Sequence, residues 1–328
     1  MGKTLLLALS LLAPLCCAAA TNPPPPPEAK AERALHGLLL DVTTAGERLV
    51  AVGARGQILF SDDEGQHWQL AEAPSHALLT AVYFTDARHG WAVGHDAQIL
   101  ASTDGGAHWQ LQHEDLAREA PLLDIWFADP QRGVAVGAYG QLLATRDGGA
   151  HWEDASERVD NPDQLHLNAL GASGDGTLFI VGEQGSLFRS RDGGEQWERL
   201  ESPYDGSLFG VLPARVPGTV LIYGLRGNLL RTTDDGDTWQ AITADAGQPS
   251  VNGGLAGGAL LSDGGLVIVG NGGTVLRSHD NGATFNAFIR PDRQSLAAVA
   301  QALGGQLWLV GQGGARRVEA NAPREAVQ

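Results

Sequence analysis

The chain has 328 residues, with 38 acidic and 22 basic side chains and a formal net charge of −16. This charge disfavours a nucleic-acid partner, because contacts to phosphate groups require a basic surface. The 44 glycines suit many tight turns around a lean core, and no interior segment reaches the length of a transmembrane helix.

The first 20 residues have the layout of a secretory signal peptide. Lys3 is followed by an apolar run from Leu5 to Leu15 and then by three alanines that end at Ala20. A lipoprotein signal is the less favoured alternative, because the residues before Cys16 and Cys17 are not the small pair that lipidation follows. We therefore expect cleavage after residue 20 and a periplasmic or secreted protein, with both cysteines removed.

Residues 21–37 are predicted to link this signal to the folded part of the chain. Five consecutive prolines between Asn22 and Glu28 predict a stiff, extended spacer.

A repeated unit begins in the next segment and runs through the rest of the chain. Seven times an apolar residue precedes Gly-x-x-Gly or a near match, and an aspartate follows ten residues after each of the first six motif glycines. The motif glycines lie 41 to 46 residues apart and are Gly53, Gly94, Gly137, Gly182, Gly224, Gly270 and Gly311. A period of this length predicts a closed or stacked repeat architecture.

Each unit contains the pattern of four short strands. In the second unit the apolar runs are Leu78–Phe84, Gly90–Gly94, Gln98–Ser102 and Trp109–Gln112, separated by turn residues. Four strands per unit are typical of a propeller blade, and seven units give seven blades. The sequence therefore predicts an all-β, seven-bladed β-propeller of four-stranded antiparallel blades over residues 38–328.

The aspartates belong to eight-residue Asp boxes, such as SDDEGQHW and STDGGAHW. The aspartate can accept hydrogen bonds from backbone N–H groups two or three residues on, and the glycine supplies a positive φ. The closing aromatic residue is placed to pack under the turn or against the neighbouring repeat. We therefore predict a structural role for the six box aspartates, which are Asp63, Asp104, Asp147, Asp192, Asp234 and Asp280.

The seventh unit has lost its box. Ten residues after Gly311 stands Asn321, and the expected serine, glycine and tryptophan are replaced. The last blade is therefore predicted to be incomplete. The segment from Ala31 to Gly37 is the available piece for ring closure and is predicted as a possible closing strand.

The Gly-x-x-Gly turns are predicted to lie on one rim of the ring and the Asp boxes on the other. The tips of the Gly-x-x-Gly turns differ from unit to unit, and variable loops on a regular scaffold are where recognition is usually found. Plain solvation of an exposed loop is the alternative at any single residue. The residues predicted to bind a partner are Arg55, His95, Asp96, Tyr139, Glu183, Tyr204 and Arg226.

No metal or cofactor site is predicted. The turn from Thr233 to Asp237 is rich in oxygens, but a calcium loop places its ligands at alternating positions and ends with a bidentate glutamate. His108 and His151 occupy the box position before tryptophan, where a solvated turn residue is expected.

The repeats resemble the bacterial neuraminidase repeat superfamily. More closely, TDARHGWAVGHDAQILASTDGGAHW and ADPQRGVAVGAYGQLLATRDGGAHW are similar to the photosystem II stability and assembly factor family, over nearly all of residues 38 to 318. The resemblance implies a non-catalytic lumenal or periplasmic factor that binds a membrane protein during biogenesis. We therefore expect a membrane or envelope protein as partner and a monomeric propeller. The arginine-rich patch of the photosynthetic members is not carried over, because the arginines here are scattered among more numerous acids.

A glycoside hydrolase of the sialidase type is the alternative, because Asp-box propellers include sialidases. Such a site needs three arginines, a tyrosine–glutamate pair and an acid/base aspartate in the central funnel. Tyr139 and Glu183 lie in turns of different blades, and we expect no catalysis. The predicted funnel positions contain no arginine and are Asp41, Thr80, Asp124, Asn168, Phe209 and Ala297.

Overall fold

The computed structural model describes residues 26–243 and 251–318, which form a ring of seven antiparallel sheets. Six sheets have four strands in chain order, and the seventh has three within the described residues. The innermost strands contact one another around the ring, and that of the last blade contacts that of the first. The predicted seven-bladed all-β propeller with an incomplete last blade is thus confirmed. The predicted signal peptide with Cys16 and Cys17, the spacer before Pro26 and the replaced box around Asn321 lie outside the described residues.

The position of a strand within its blade sets the distance of that strand from the axis of the ring. The innermost strands are β1 (Leu39–Ala45), β5 (Leu79–Phe84), β9 (Leu122–Phe127), β13 (Leu167–Ala172), β17 (Leu208–Pro213), β21 (Leu255–Leu260) and β25 (Leu296–Gln301). The second strands are β2 (Arg48–Gly53), β6 (Gly90–Gly94), β10 (Gly133–Gly137), β14 (Leu178–Gly182), β18 (Val220–Gly224), β22 (Leu266–Gly270) and β26 (Leu307–Gly311). The third strands are β3 (Ile58–Ser61), β7 (Ile99–Ser102), β11 (Leu142–Thr145), β15 (Leu187–Ser190), β19 (Leu229–Thr232), β23 (Thr274–Ser278) and β27 (Gly314–Val318). The outermost strands are β4 (Gln69–Leu70), β8 (Gln110–His113), β12 (Glu153–Asp154), β16 (Glu198–Arg199), β20 (Gln240–Ala241) and β24 (Asn286–Ile289).

The second strand of each blade is the centre of the core. In β6, β10, β14, β18, β22 and β26 every residue is buried. A strand that is covered on both faces by neighbouring blades has no solvent side, so its sequence is a continuous apolar run and not an alternating one. The outermost strands of blades one, three, four and five have two residues each and are largely exposed, which leaves little free edge for association.

The first glycine of each Gly-x-x-Gly motif is required by close packing. A Cβ on Gly53 would lie 2.3 Å from the carbonyl oxygen of Leu38. At the other six motif glycines the corresponding distance to the residue before the innermost strand is 2.2 to 2.4 Å, which no side chain tolerates. The residue after the glycine donates its N–H to the same carbonyl, as Ala54 does to Leu38 at 3.0 Å. The motif therefore fixes where each innermost strand begins.

Residues Pro27–Leu35 form helix α1, so the predicted closing strand from Ala31 to Gly37 is wrong. The run PEAKAERAL consists mostly of strong helix formers, and proline is tolerated in a first turn. Ala31 and Ala34 are buried in the same cluster as Trp68 of the first blade and Trp308 of the last. A helix thus covers the seam at the incomplete blade. No helix in the described part of the chain is long and apolar enough to cross a membrane.

Candidate functional site

The Asp boxes join the third and fourth strands of the first six blades, and the carboxylate of each box aspartate accepts its hydrogen bonds from its own box. Ser61 Oγ donates to Asp63 Oδ1 at 2.9 Å and accepts the N–H of Gly65 at 2.8 Å. Asp63 Oδ1 also accepts the N–H of His67 at 2.8 Å, which lies four residues on and not two or three as predicted. Because these bonds satisfy the turn itself, they support the predicted structural role of the box aspartates.

The box histidines of the first three blades contact their own aspartates. Nδ1 of His67, His108 and His151 lies 2.6 to 2.7 Å from Oδ2 of the box aspartate. A backbone N–H four residues on is the main reason that the pKa of Asp63 and that of Asp147 fall to about 2. Among the described residues no group of three or more His, Cys, Asp or Glu side chains is placed to hold a metal ion.

The opposite rim, which we call the turn rim, carries the 3₁₀ turns that follow the second strands. The middle residue of each of the six turns has a left-handed φ of 51° to 64°, and these residues are Arg55, Asp96, Tyr139, Gln184, Arg226 and Gly272. A residue other than glycine pays about 1 to 2 kcal/mol in this conformation, and Gly272 shows that glycine fits the turn. Five tips therefore keep a side chain where glycine would fit, and all of them except Asp96 do so at a conformational cost.

A cluster on blades three and four joins two of the predicted binding residues. Tyr139 is 57% exposed, and its ring packs edge-on against His166 with centroids 4.9 Å apart. The backbone N–H of His166 donates to Glu183 Oε2 at 3.0 Å. His166, which immediately precedes the innermost strand β13, was not among the predicted binding residues.

Further aromatic and apolar side chains lie on blade five, and we call them together with the cluster around Tyr139 the patch. Tyr204 Oη donates to the carbonyl oxygen of Leu225 at 3.2 Å, beside the exposed Arg226. Leu225 is 39% exposed and Phe209, at the wall of the central channel, is 36% exposed. Apolar and aromatic surface thus extends over three successive blades. Arg55, His95 and Asp96 lie on blades one and two, and no hydrogen bond, ion pair or ring contact between described residues joins them to this patch.

The innermost strands line a central channel of about 600 Å³. All six predicted funnel positions line it. In blades one to four polar side chains link neighbouring blades: Asp41 Oδ2 accepts the N–H of Val82 at 2.8 Å, and Asp124 Oδ2 accepts that of Leu170 at 2.8 Å. Thr80 and Asn168 donate to the carbonyls that begin the next innermost strands, at 2.7 and 2.9 Å. These bonds satisfy backbone groups that have no further strand to pair with.

The pKa values of the two acids that line the channel, Asp41 and Asp124, are raised. Burial raises the pKa of Asp41 to about 6 against the opposing hydrogen bonds from Val82 and Val42. Burial also raises the pKa of Asp124 to about 7, and repulsion from Asp41 adds to it. No arginine lines the channel in the described part of the chain, so a sialidase carboxylate clamp has no counterpart there.

Comparison with known proteins gives the same architecture. A structure of YCF48 bound to a D1 peptide has a TM-score of 0.69 and 18% identity, with 88% of this chain and 95% of that chain covered. YCF48 from Cyanidioschyzon merolae has a TM-score of 0.68 and 16% identity, with 88% and 97% covered. The GH74 xyloglucanase from Xanthomonas campestris has a TM-score of 0.68 and 15% identity, with 89% of this chain and 54% of that chain covered. Such identities show the fold alone, which enzymes also use.

No curated protein matches the sequence. The family model for the photosynthesis system II assembly factor YCF48 matches residues 63–121 and 110–327, which is most of the chain. The protein therefore belongs to the photosynthesis system II assembly factor YCF48 family.

Proposed function

We propose that this protein is a non-catalytic, monomeric periplasmic scaffold whose turn rim binds a membrane or envelope protein. The observation that carries the proposal is the set of side chains held at left-handed turn tips. Strained backbone positions that persist in a fold are concentrated at functional sites. Arginine and tyrosine, which occupy three of these tips, are also the residue types enriched at interface hot spots.

The rim that carries the Asp boxes, which we call the box rim, provides an internal comparison. The fourth position of the Asp boxes has the same left-handed φ, and three of the six residues there are glycine. Two of the other three are Asp235 and Asn281, types that tolerate this conformation. At the turn-rim tips a single residue of six is glycine, and Tyr139, Gln184 and two arginines have no such tolerance. The turn rim therefore keeps a costly side chain at four of six tips, whereas the box rim does so at one of six positions, Glu64.

Two further points support the proposal. A structure of YCF48 contains a bound D1 peptide, so a propeller of this fold can bind a segment of another protein. The predicted signal peptide supports an extracytoplasmic location. The polar and aromatic character of the patch around Tyr139 and Tyr204 suits an interface with a protein segment.

The test is site-specific photo-crosslinking in living cells. A benzoylphenylalanine is introduced at position 139 on the turn rim, and at position 103, an exposed threonine in the Asp box of blade two. We expect crosslinks to a membrane or envelope protein from position 139 and none from position 103. Crosslinks from position 103 alone would move the binding site to the other rim, and a soluble cytoplasmic partner at position 139 would overturn the proposal.

A substitution separates binding from folding. Tyr139→Gly removes the side chain but suits the backbone, so stability should be kept or raised while partner retention falls about tenfold or more. Asn281→Gly makes the same backbone change on the box rim and should leave retention unchanged. Unchanged retention in Tyr139→Gly would contradict the assignment of this tip.

A further inference from the structure

One residue of the second strands departs from the pattern of the other blades. The residue before the motif glycine is valine in six blades, whereas blade five has Tyr223. The side chain of Tyr223 is 3% exposed, and it lines the central channel although it belongs to a second strand.

Two glycines open the way for this ring. A Cβ on Gly210 of β17 would lie 2.3 Å from the Tyr223 ring, and one on Gly258 of β21 would lie 3.0 Å from its hydroxyl oxygen. Gly210 is the cross-strand partner of Tyr223, so the ring lies over the bare backbone of the innermost strand and its side chain reaches the channel. Within the described residues this hydroxyl has no hydrogen-bond partner, which is uncommon for a buried tyrosine.

Tyr223 shares the channel wall with Asp41 and Asp124. The charges of Asp124 and Asp41 both act on Tyr223 and add to the burial that raises its pKa. These three are the titratable side chains among the described residues that line the channel, and no basic side chain lines it. Buried carboxylates without a cation are costly, so a positive group in the channel would be stabilised.

The acids retain hydrogen-bonding capacity. Each oxygen of Asp41 accepts one backbone N–H, from Val42 or Val82, and so does each oxygen of Asp124. A carboxylate oxygen has two lone-pair sites, so one remains on each. The opposite wall is built from small residues such as Gly210, Ala256, Gly257, Ala259 and Ala297. The channel thus has a polar, acceptor-rich side and a small apolar side.

We propose that the central channel binds a primary alkylammonium group. The ammonium donates hydrogen bonds to carboxylate oxygens of Asp41 and Asp124 and to the oxygen of Tyr223, and the alkyl chain lies against the alanine and glycine wall. Three N–H donors match this set of acceptors. The source is either a free aliphatic amine or the lysine side chain of a bound protein.

The test is calorimetric titration of the whole protein with n-butylammonium chloride at pH 8 and pH 5. We expect binding at pH 8 and affinity lower by about tenfold or more at pH 5, because the carboxyl groups are then protonated. Butyltrimethylammonium has the same charge but no N–H donor, and it should bind far more weakly. No binding of butylammonium at pH 8, equal affinity at the two pH values or equal affinity for the two cations would each overturn the proposal.

Variants locate the site. Asp41→Asn, Asp124→Asn and Tyr223→Phe should each weaken butylammonium binding, the two aspartate changes by about tenfold. Glu47→Gln removes one negative charge from the exposed β1–β2 turn and should not weaken it. Circular dichroism checks the fold of each variant, and the pH and cation comparisons in the unmodified protein decide the question if a channel variant fails to fold. Equal weakening by Glu47→Gln would show that net charge, and not the channel, binds the cation.

Two ligands distinguish the sources. Putrescine stands for a free amine, and Nα-acetyl-lysine methylamide stands for a protein side chain. Binding of both supports a channel open to a partner's lysine, and binding of putrescine alone assigns the site to free amines. Binding of neither contradicts the proposal. None of these outcomes depends on the turn rim, so the two proposals fail separately.

Discussion

The indole N–H of Trp308 donates to the backbone carbonyl of Glu64 at 3.1 Å, across 244 positions of sequence. Its ring also packs edge-on against Trp68, with centroids 5.3 Å apart. The Asp box of blade one therefore rests on the second strand of blade seven. The box of blade two rests on blade one in the same way, since a Cβ on Gly106 would lie 3.4 Å from Val50. The ring is thus closed by the same kind of contact that joins blade two to blade one, and in the described part of the chain no borrowed strand completes the last blade.

This contact gives the first prediction. Trp308→Ala should lower the free energy of unfolding by about 3 to 5 kcal/mol, because it removes a large buried ring at the ring closure. Trp308→Phe should cost less, since much of the packing remains and a hydrogen bond worth about 1 kcal/mol is lost. Urea unfolding followed by fluorescence and circular dichroism measures both. Leu303→Ala, at a residue 70% exposed in the same blade, is the control, and an equal effect there would contradict the closure argument.

The second prediction concerns the Asp box of blade one. Asp63→Ala removes the acceptor for the N–H of His67 and should cost about 1 to 2 kcal/mol. Because the folded-state pKa of Asp63, at about 2, lies below its ordinary value of 3.8, the carboxylate stabilises the fold above about pH 4. That contribution is lost as the pH falls toward 2.

Unfolding curves at pH 7 and pH 3 check this prediction. The difference in the free energy of unfolding between Asp63→Ala and the unmodified protein should be smaller at pH 3 than at pH 7. The amount of partner that Asp63→Ala retains should fall only in proportion to the loss of folded protein. Loss of retention with an unchanged melting temperature would assign the box a role in binding.

The repeat made most of the fold predictable, because its signals are local. In blade two the observed strands agree with the predicted ones to within a residue, since apolar runs and turn residues set their bounds. Helix α1 was missed although its run of strong helix formers after a proline is a local helix signal; only its burial against Trp68 and Trp308 depends on residues far away in sequence. A proline run followed by a short segment gave no signal for that contact.

The candidate sites were predictable only in part. The variable tips, such as Tyr139 and Arg226, stand out in the alignment of the units. The contact of Tyr139 with His166 arises from the geometry between blades, which the sequence does not show. Tyr223 differs from its six valine counterparts in the sequence, but its passage past Gly210 requires the three-dimensional arrangement.

The third prediction is the pH dependence of stability from the channel acids. The pKa values of Asp41 and Asp124 are raised to about 6 and about 7 from 3.8. Between about pH 4 and pH 7 the folded protein therefore binds more protons than the unfolded chain, and the contribution of these acids to stability falls as the pH rises.

Urea unfolding at pH 5 and pH 8 measures this effect. Asp124→Asn should reduce the loss of stability between the two pH values. His108, whose pKa is raised by its hydrogen bond to Asp104, contributes with the same sign, so His108→Gln is measured in parallel. If the free energy of unfolding of Asp124→Asn changed between pH 5 and pH 8 as much as that of the unmodified protein, Asp124 would titrate outside this pH range.

The fourth prediction compares two arginines that contact the same carboxylate. Arg189 is 5% exposed in its side chain and reaches Asp237 at 2.6 Å and Glu198 at 2.9 Å. It also donates to the carbonyl of Asp235 at 2.6 Å, so it links blade four to the Asp box of blade five. Arg191 is 55% exposed and reaches Asp237 at 3.4 Å.

Arg189→Met should lower the free energy of unfolding by about 1 to 3 kcal/mol, because it leaves a part-buried carbonyl and two carboxylates without their shared donor. Arg191→Met should change it by about 0.5 kcal/mol or less, since an exposed ion pair is screened by solvent. Arg189→Lys should not restore the loss, because a single ammonium lacks the planar fork that reaches three acceptors. Urea unfolding of the three variants decides the matter: an equal effect of Arg189→Met and Arg191→Met would show that the link between blades four and five does not depend on the buried guanidinium.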